Sequence, residues 1–256
     1  MLYNYQVSEK ILNTRAKIMS YLEEIKEIET GNTNANLVKF IPVKNRRYSP
    51  SFIEKYKHVT SPTQLNEIAN HRFRIEEINT QNVYRLIDQY NILSVDAFLA
   101  SHKQFMNNLI NDAGEYRKVD MNIMSSNKLI RVAPPAPFIP SMISTLFDFI
   151  NNSQECLIIK SCILYNQIGR VHPFVDGNGR VQRYWLLKSL MKVSPIFYYL
   201  PLERILKQNK NKHIHAYRLS EISNDASPII EMMLETVIYQ GLKSLFETKA
   251  KSVFGS

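Results

Sequence analysis

Within one short stretch lie a histidine, a carboxylate, two glycines and two arginines: His172-Pro173-Phe174-Val175-Asp176-Gly177-Asn178-Gly179-Arg180-Val181-Gln182-Arg183. Each type has a use in phosphate chemistry. Glycine takes positive φ at little cost. A Gly177-Asn178-Gly179 turn at a helix N-terminus can therefore aim several N–H groups at one point, a nest that the helix dipole backs for phosphate. Arg180 and Arg183, three residues apart, project from nearly the same helix face and suit phosphate oxygens. Asp176 offers hard oxygens that suit Mg²⁺ held together with substrate phosphates. His172 titrates near neutrality and can accept a proton from an attacking hydroxyl. Base, metal ligand, anion nest and clamp are the parts that phosphoryl or nucleotidyl transfer needs. There is no Walker glycine loop and no kinase signature.

Helices must position these residues. Before the stretch, residues 154–168 carry Leu157, Ile158, Ile159, Cys162, Ile163, Leu164 and Ile168, apolar over most of a helical circumference. That pattern marks a central core helix ending near Gly169. After it, Arg180 through Leu190 reads as another helix. Residues 141–151 form a further apolar helix, opened by Pro140. Upstream, the period changes. Lys118-Val119-Asp120-Met121-Asn122-Ile123 alternates as a strand does, Ser125–Lys128 can turn the chain, and Leu129–Val132 can return. One β-hairpin is thus expected in a mainly α protein. Residues 63–112 read as helices with breaks near Asn79 and Asn91, and Ser94 caps the helix that follows it. Residues 8–30 read as a helix through Ile11, Leu12, Ile18, Met19, Leu22, Ile25 and Ile28.

Composition sets the bounds. The chain has 256 residues, 45% hydrophobic and 21% charged, in the range of ordinary globular proteins. No stretch is apolar enough to span a bilayer and the N-terminus does not read as a signal peptide. Cys156 and Cys162 have no metal-site spacing and read as reduced thiols, which places the protein in the cytoplasm. The net charge of +9 raises nucleic-acid binding as a rival. The charge is dispersed, however, and a positive field equally suits a polyphosphate.

At every fixed position the segment 172–183 matches His-x-Phe-x-Asp/Glu-Gly-Asn-Gly-Arg-x-x-Arg, and so resembles the Fic family motif. Gly114-Glu115-Tyr116-Arg117 is similar to the family's Gly-x-x-Arg before its flap, and Val132–Pro137 to the proline-rich stretch after it. The resemblance covers about residues 94–220 and implies a Fic-type helical bundle with a single hairpin flap. It implies a protein adenylyltransferase that moves AMP from ATP, with Mg²⁺, onto a Ser, Thr or Tyr hydroxyl of a target protein. His172 would be the general base and Asp176 the metal ligand. Gly177, Asn178 and Gly179 would bind phosphate oxygens, with Asn178 near the α-phosphate. Arg180 would stabilise the leaving pyrophosphate, Arg183 would reach the γ-phosphate, and Phe174 would anchor the loop. The target would add a strand to hairpin 118–132. Tyr217 is a candidate for lining the adenine pocket, against the alternative of a core tyrosine.

Many Fic proteins also carry an inhibitory helix with Ser/Thr-x-x-x-Glu-Gly/Asn. No clean copy exists here. Ser20-Tyr21-Leu22-Glu23-Glu24 has the spacing, but Ile25 follows. Arg72-Phe73-Arg74-Ile75-Glu76-Glu77 lies at a suitable place, with Arg72 in place of Ser/Thr and Glu77 in place of Gly/Asn. Glu76 is the preferred inhibitory glutamate, expected to pair with Arg183 across the γ-phosphate site, against the alternative of an ordinary exposed helix carboxylate.

The division expected is a helical extension over 1–93, a core over 94–220 with catalytic loop 172–183, and C-terminal helices over 221–256. The irregular stretch 31–62 is a candidate for target recognition, dimer contact or disorder, and a homodimer is among the assemblies to be tested. Two other functions remain open: a Fic-fold transferase using another nucleotide or phosphate donor, and a non-catalytic nucleotide-binding regulator. Too few residues follow position 220 for a nucleic-acid-binding winged helix.

Overall fold

The computed structural model describes residues 4–31, 58, 61–125 and 128–254. Among these, regular structure is helical apart from one two-stranded hairpin and an isolated bridge between Asn4 and Asp225, in agreement with the mainly α expectation. None of their helices is long and apolar enough to cross a membrane. Most of the irregular stretch expected at 31–62 lies outside the described residues. Two compact units emerge, interleaved in sequence.

One unit comprises Ile41–Asn151 and Ile168–Gln182. Its first described helix, α2 (Pro62–Arg85), starts at Ser61, whose hydroxyl accepts from Gln64 N, with Pro62 in the first turn. The break expected near Asn79 does not occur. Asparagine weakens helices by bonding its own backbone. Here the Asn79 amide instead donates to Phe105 O at 3.2 Å and Asn107 O at 2.7 Å. Those carbonyls belong to the end of α3 (Val95–Met106), which begins where Ser94 accepts from Ala97 N at 3.1 Å. Helix α3 stops well short of residue 112, just before Asn108 turns to a left-handed φ of 58°.

The hairpin pairs β1 (Asn122–Ser125) with β2 (Lys128–Val132), Asn122 opposite Val132 and Ile123 opposite Arg131, with a bulge between Ile123 and Met124. The first strand therefore begins at Asn122 rather than Lys118. The preceding polar groups are engaged elsewhere: Val119 O accepts from Arg117 and Asp120 Oδ1 from Ala136 N. A 3₁₀ turn, Ala136–Phe138, leads into α4 (Ile139–Asn152), which buries Ile139, Ile143, Phe147 and Ile150. Phe98 lies 5.6 Å from Phe147 and 5.3 Å from Phe174, ring centre to ring centre. Burying each such ring contributes roughly 1.5–3 kcal/mol.

The second unit comprises Met1–Phe40, Asn152–Gln167 and Arg183–Ser256. Helix α1 (Glu9–Gly31) buries Ile11, Ile18, Leu22 and Ile25. Leu12 and Met19, expected in the same stripe, are 43% and 41% exposed, so the apolar face is narrower than the sequence suggests. Helix α5 (Leu157–Val171) is buried nearly all round, as its apolar circumference demands, and ends at Val171 rather than near Gly169. Helix α6 (Asn178–Met191) carries Trp185, fully buried, into this unit. After a 3₁₀ turn come α7 (Leu202–Gln208) and α8 (Lys210–Ser223). The apolar C-terminal segment runs on without interruption through α9 (Ser227–Met232), a π-helical stretch (Met233–Tyr239) and α10 (Gln240–Phe254). Cys156 and Cys162 are free thiols.

Candidate active site

The motif loop is fastened to itself before it is fastened to anything else. Pro173 cannot extend α5, and His172 leaves it with φ 49°. Phe174 N donates to Asn178 Oδ1 at 2.9 Å, and Asn178 Nδ2 returns the bond to Phe174 O at 2.6 Å. Asn178 is 4% exposed. Its amide closes the loop, a role the sequence reading did not give it. Gly177 turns the chain at φ 85°, while Gly179 is already helical. Gly177 O accepts from Arg180 N and Val181 N, so the leading N–H groups of α6 are those of Asn178 and Gly179.

Beneath the loop lies a histidine that the sequence reading missed. The His102 ring stacks on Phe174 at 3.6 Å, with an interplanar angle of 4°. Its Nδ1 accepts from Gly114 N at 2.9 Å, and its Nε2 lies 2.9 Å from Asp176 O. An amide N–H can only donate, so the ring proton sits on Nε2 and points at the carbonyl. Burial pulls its pKa down to about 4, which keeps the ring neutral. The signal in sequence was a polar residue at helical spacing between Phe98 and Phe105, indistinguishable from a solvated position.

Four charged side chains meet in alternating sign. Asp176 Oδ1 accepts from Gly177 N at 2.7 Å, and Asp176 Oδ2 accepts from Arg72 Nη2 at 2.9 Å. Arg72 Nε donates to Glu76 Oε1 at 3.2 Å. The same oxygen accepts from Arg180 Nη2 at 2.9 Å, so the contact shown for Glu76 is with the first arginine of the motif, where Arg183 was expected. The four side chains are only 8–15% exposed. Arg72 and Glu76 stand one turn apart on α2, opposite Asp176 and Arg180, also four residues apart. Glu76 is thus a buried residue in a charge network rather than a solvated carboxylate.

The hairpin is rooted in the same loop. Arg117, 2% exposed, donates from Nε to His172 O at 2.8 Å, from Nη1 to Val119 O at 2.7 Å and from Nη2 to Pro134 O at 2.6 Å. Arg131 Nη2 donates to Gly169 O at 2.5 Å. Burial, and then the positive charges of Arg131 and Arg117, lower the His172 pKa to about 4, against the opposing pulls of the Gly169 carbonyl and Asp176. The imidazole is therefore neutral at pH 7 and able to accept a proton.

The second unit holds the remaining sequence-derived residues. Arg183 Nε forms an ion pair with Glu203 Oε1. Tyr165 OH lies 2.8 Å from His213 Nε2, and the Tyr217 ring meets the His213 ring edge-on at 4.9 Å. Burial and the Arg183 charge lower the His213 pKa to about 4. Arg183 and Tyr217 thus belong to one aromatic and charged cluster with Glu203, a partner the sequence had not offered.

Among the described residues no group of three or more His, Cys, Asp or Glu side chains could by itself cage a metal ion. One carboxylate, Asp176, next to the N-terminus of a helix fits the chemistry of Mg²⁺, which is commonly held by one or two carboxylates plus substrate phosphates.

Residues 92–190 match the Fic/DOC family profile. A probable protein adenylyltransferase of Aquifex aeolicus (strain VF5) is 30% identical over 145 residues, 52% of this chain and 41% of that relative. The chain therefore spans less than half the length of the curated relative it matches. A Fic family protein from Desulfovibrio desulfuricans G20 superposes with a TM-score of 0.81 at 22% identity, over 98% of this chain and 78% of that one. A Fic domain containing signaling protein from Bacteroides thetaiotaomicron VPI-5482 gives 0.57 at 14% identity, over 95% and 97%. These two similarities establish the fold.

Proposed function

Taking as premise that residues 92–190 form a Fic/DOC family domain, we propose that this protein transfers AMP from Mg²⁺-ATP to a Ser, Thr or Tyr hydroxyl of a target protein. What carries the reading is the loop between α5 and α6, which sets His172 at its head and Asp176, bonded to Gly177 N, at the N-terminus of α6, with the His172 pKa lowered by burial so that its ring can accept a proton. The adenylyltransferase description of the Aquifex relative supports the same donor.

The target oxygen attacks the α-phosphorus while its proton passes to His172. The bond from that phosphorus to the bridging oxygen breaks, and pyrophosphate leaves with its charge against Arg180. Mg²⁺ held at Asp176 would neutralise phosphate charge. The target segment docks on hairpin 118–132 by strand addition, since a two-stranded sheet leaves each strand one edge outside the ladder. Glu76, paired with Arg180, holds the nucleotide site in check until it is displaced. ATP supply and the free thiols suit a cytoplasmic setting.

The test uses ATP labelled at either the α- or the γ-phosphate, incubated with a soluble lysate and either Glu76→Gln or Glu76→Gln/His172→Ala, so that the inhibitory contact is absent in both. Label from the α-position alone, lost with His172→Ala, supports AMP transfer. Label from the γ-position would mean phosphate transfer instead, and label from neither would favour another donor or a non-catalytic nucleotide binder.

A further inference from the structure

We propose that Arg72 sets the affinity of this site for a divalent cation, by occupying the carboxylate oxygen that the cation needs. The inference rests on reading Asp176 as the metal-holding carboxylate, and it concerns the regulation of that same site.

The geometry is an imitation in two halves. Arg180 is placed to meet phosphate oxygens, and Glu76 Oε1 fills that role at 2.9 Å. Asp176 is placed to meet a cation, and Arg72 Nη2 fills that role at 2.9 Å. A single side-chain pair on one turn of α2 thus stands in for both the anion and the cation of Mg²⁺-ATP, and its members are tied to each other at 3.2 Å. A guanidinium has donors only. Its positive charge competes with a metal ion for Asp176 Oδ2, and the two repel each other in a site where these side chains are only 12% and 15% exposed. The other oxygen, Oδ1, already accepts from Gly177 N. Cation binding at Asp176 therefore works against the Arg72 contact. Arg72 Nη1 also donates to Leu109 O at 3.2 Å, which fixes the fork in the blocking position. A serine or threonine at this place, as in the inhibitory pattern that Glu76 resembles, could not reach out with a charge in this way. The cation competition belongs to this chain's own arginine.

The coupling has a consequence. Because Arg72 and Glu76 share one helical turn, displacing Arg72 with a cation removes one of the contacts that steady Glu76 on Arg180. The inhibitory contact then weakens as divalent cation concentration rises, before any nucleotide arrives.

The test is Mn²⁺ binding to the full chain without nucleotide, followed by electron paramagnetic resonance. The variants are Arg72→Gln, Arg72→Met, Arg72→Lys and Asp176→Asn, with the double variant Arg72→Gln/Asp176→Asn. Removing the charge at position 72 should tighten Mn²⁺ binding by about tenfold or more, and Asp176→Asn should abolish the gain. Arg72→Lys should remain near wild type. Arg72→Met repeats the measurement should Arg72→Gln fail to fold. Equal affinity in wild type and the charge-removed variants would overturn the proposal, as would a gain that survives Asp176→Asn. AMP transfer is not read in this experiment, so a protein that transfers no AMP could still show the competition, and an active one could lack it.

Discussion

Glu76 Oε1 and Arg180 Nη2 lie 2.9 Å apart, in a pair whose side chains are 8% and 10% exposed. A carboxylate on that guanidinium occupies the charge that a leaving pyrophosphate would use. Glu76→Gln keeps the shape of the side chain and removes its charge. The expected result is tighter binding of a non-hydrolysable ATP analogue, by about tenfold or more in calorimetry. The same change leaves Arg72 and Arg180 without their shared anion, so folding stability should fall by about 2–4 kcal/mol in urea titration. An inhibitory contact gains ligand affinity while it loses stability. A purely structural one would lose both.

Gly177 is fixed by two constraints at once. Its φ is 85°, and an added Cβ would stand 2.7 Å from Met106 Sδ and 3.2 Å from His102 Nε2. Gly177→Ala should therefore lower stability by about 2 kcal/mol or more in urea titration. It should also weaken ATP-analogue binding, because the strain falls on the residue just before α6.

Asn79 ties the middle of α2 to the end of α3 through two carbonyls. Asn79→Ala removes both bonds, the one to Phe105 O buried, and should cost about 1–3 kcal/mol, read as a lower urea midpoint with an unchanged slope.

Three histidines, His102, His172 and His213, have folded pKa values lowered to about 4 from 6.5. Between those values the unfolded chain binds protons that the folded chain refuses. Stability from these groups is full above pH 6.5 and is lost as pH falls through that window toward 4. Each contributes up to ~3 kcal/mol. Urea midpoints at pH 7, 5.5 and 4.5 should fall steeply, and His102→Gln should flatten the slope. The acid limb of activity should lie near the His172 value rather than at 6.5, since the neutral ring is the base.

What could be read in the sequence was what depends on local pattern. The helix cap at Ser94, the first-turn Pro140 of α4, the buried circumference of α5 and the motif 172–183 all rest on residue type and near spacing. What could not be read depends on partners far along the chain. Asn79 reads as a helix breaker until Phe105 O and Asn107 O are in view. Lys118–Met121 alternates as a strand does, yet its polar groups go to Arg117, Ala133 and Ala136. His102 is ordinary until Gly114 and Asp176 close on its two nitrogens. Arg72 looked like a flaw in an inhibitory pattern, and only the distance to Asp176 gives it a purpose.

The central claim is that the site moves AMP and that His172 takes the proton. The most direct measurement is peptide-resolved mass spectrometry of a soluble lysate incubated with Mg²⁺-ATP and either Glu76→Gln or Glu76→Gln/His172→Ala. The account predicts AMP on a Ser, Thr or Tyr side chain with the first variant, reduced about 10²–10⁴-fold with the second. No AMP-bearing residue with Glu76→Gln, or equal amounts from both variants, would contradict it.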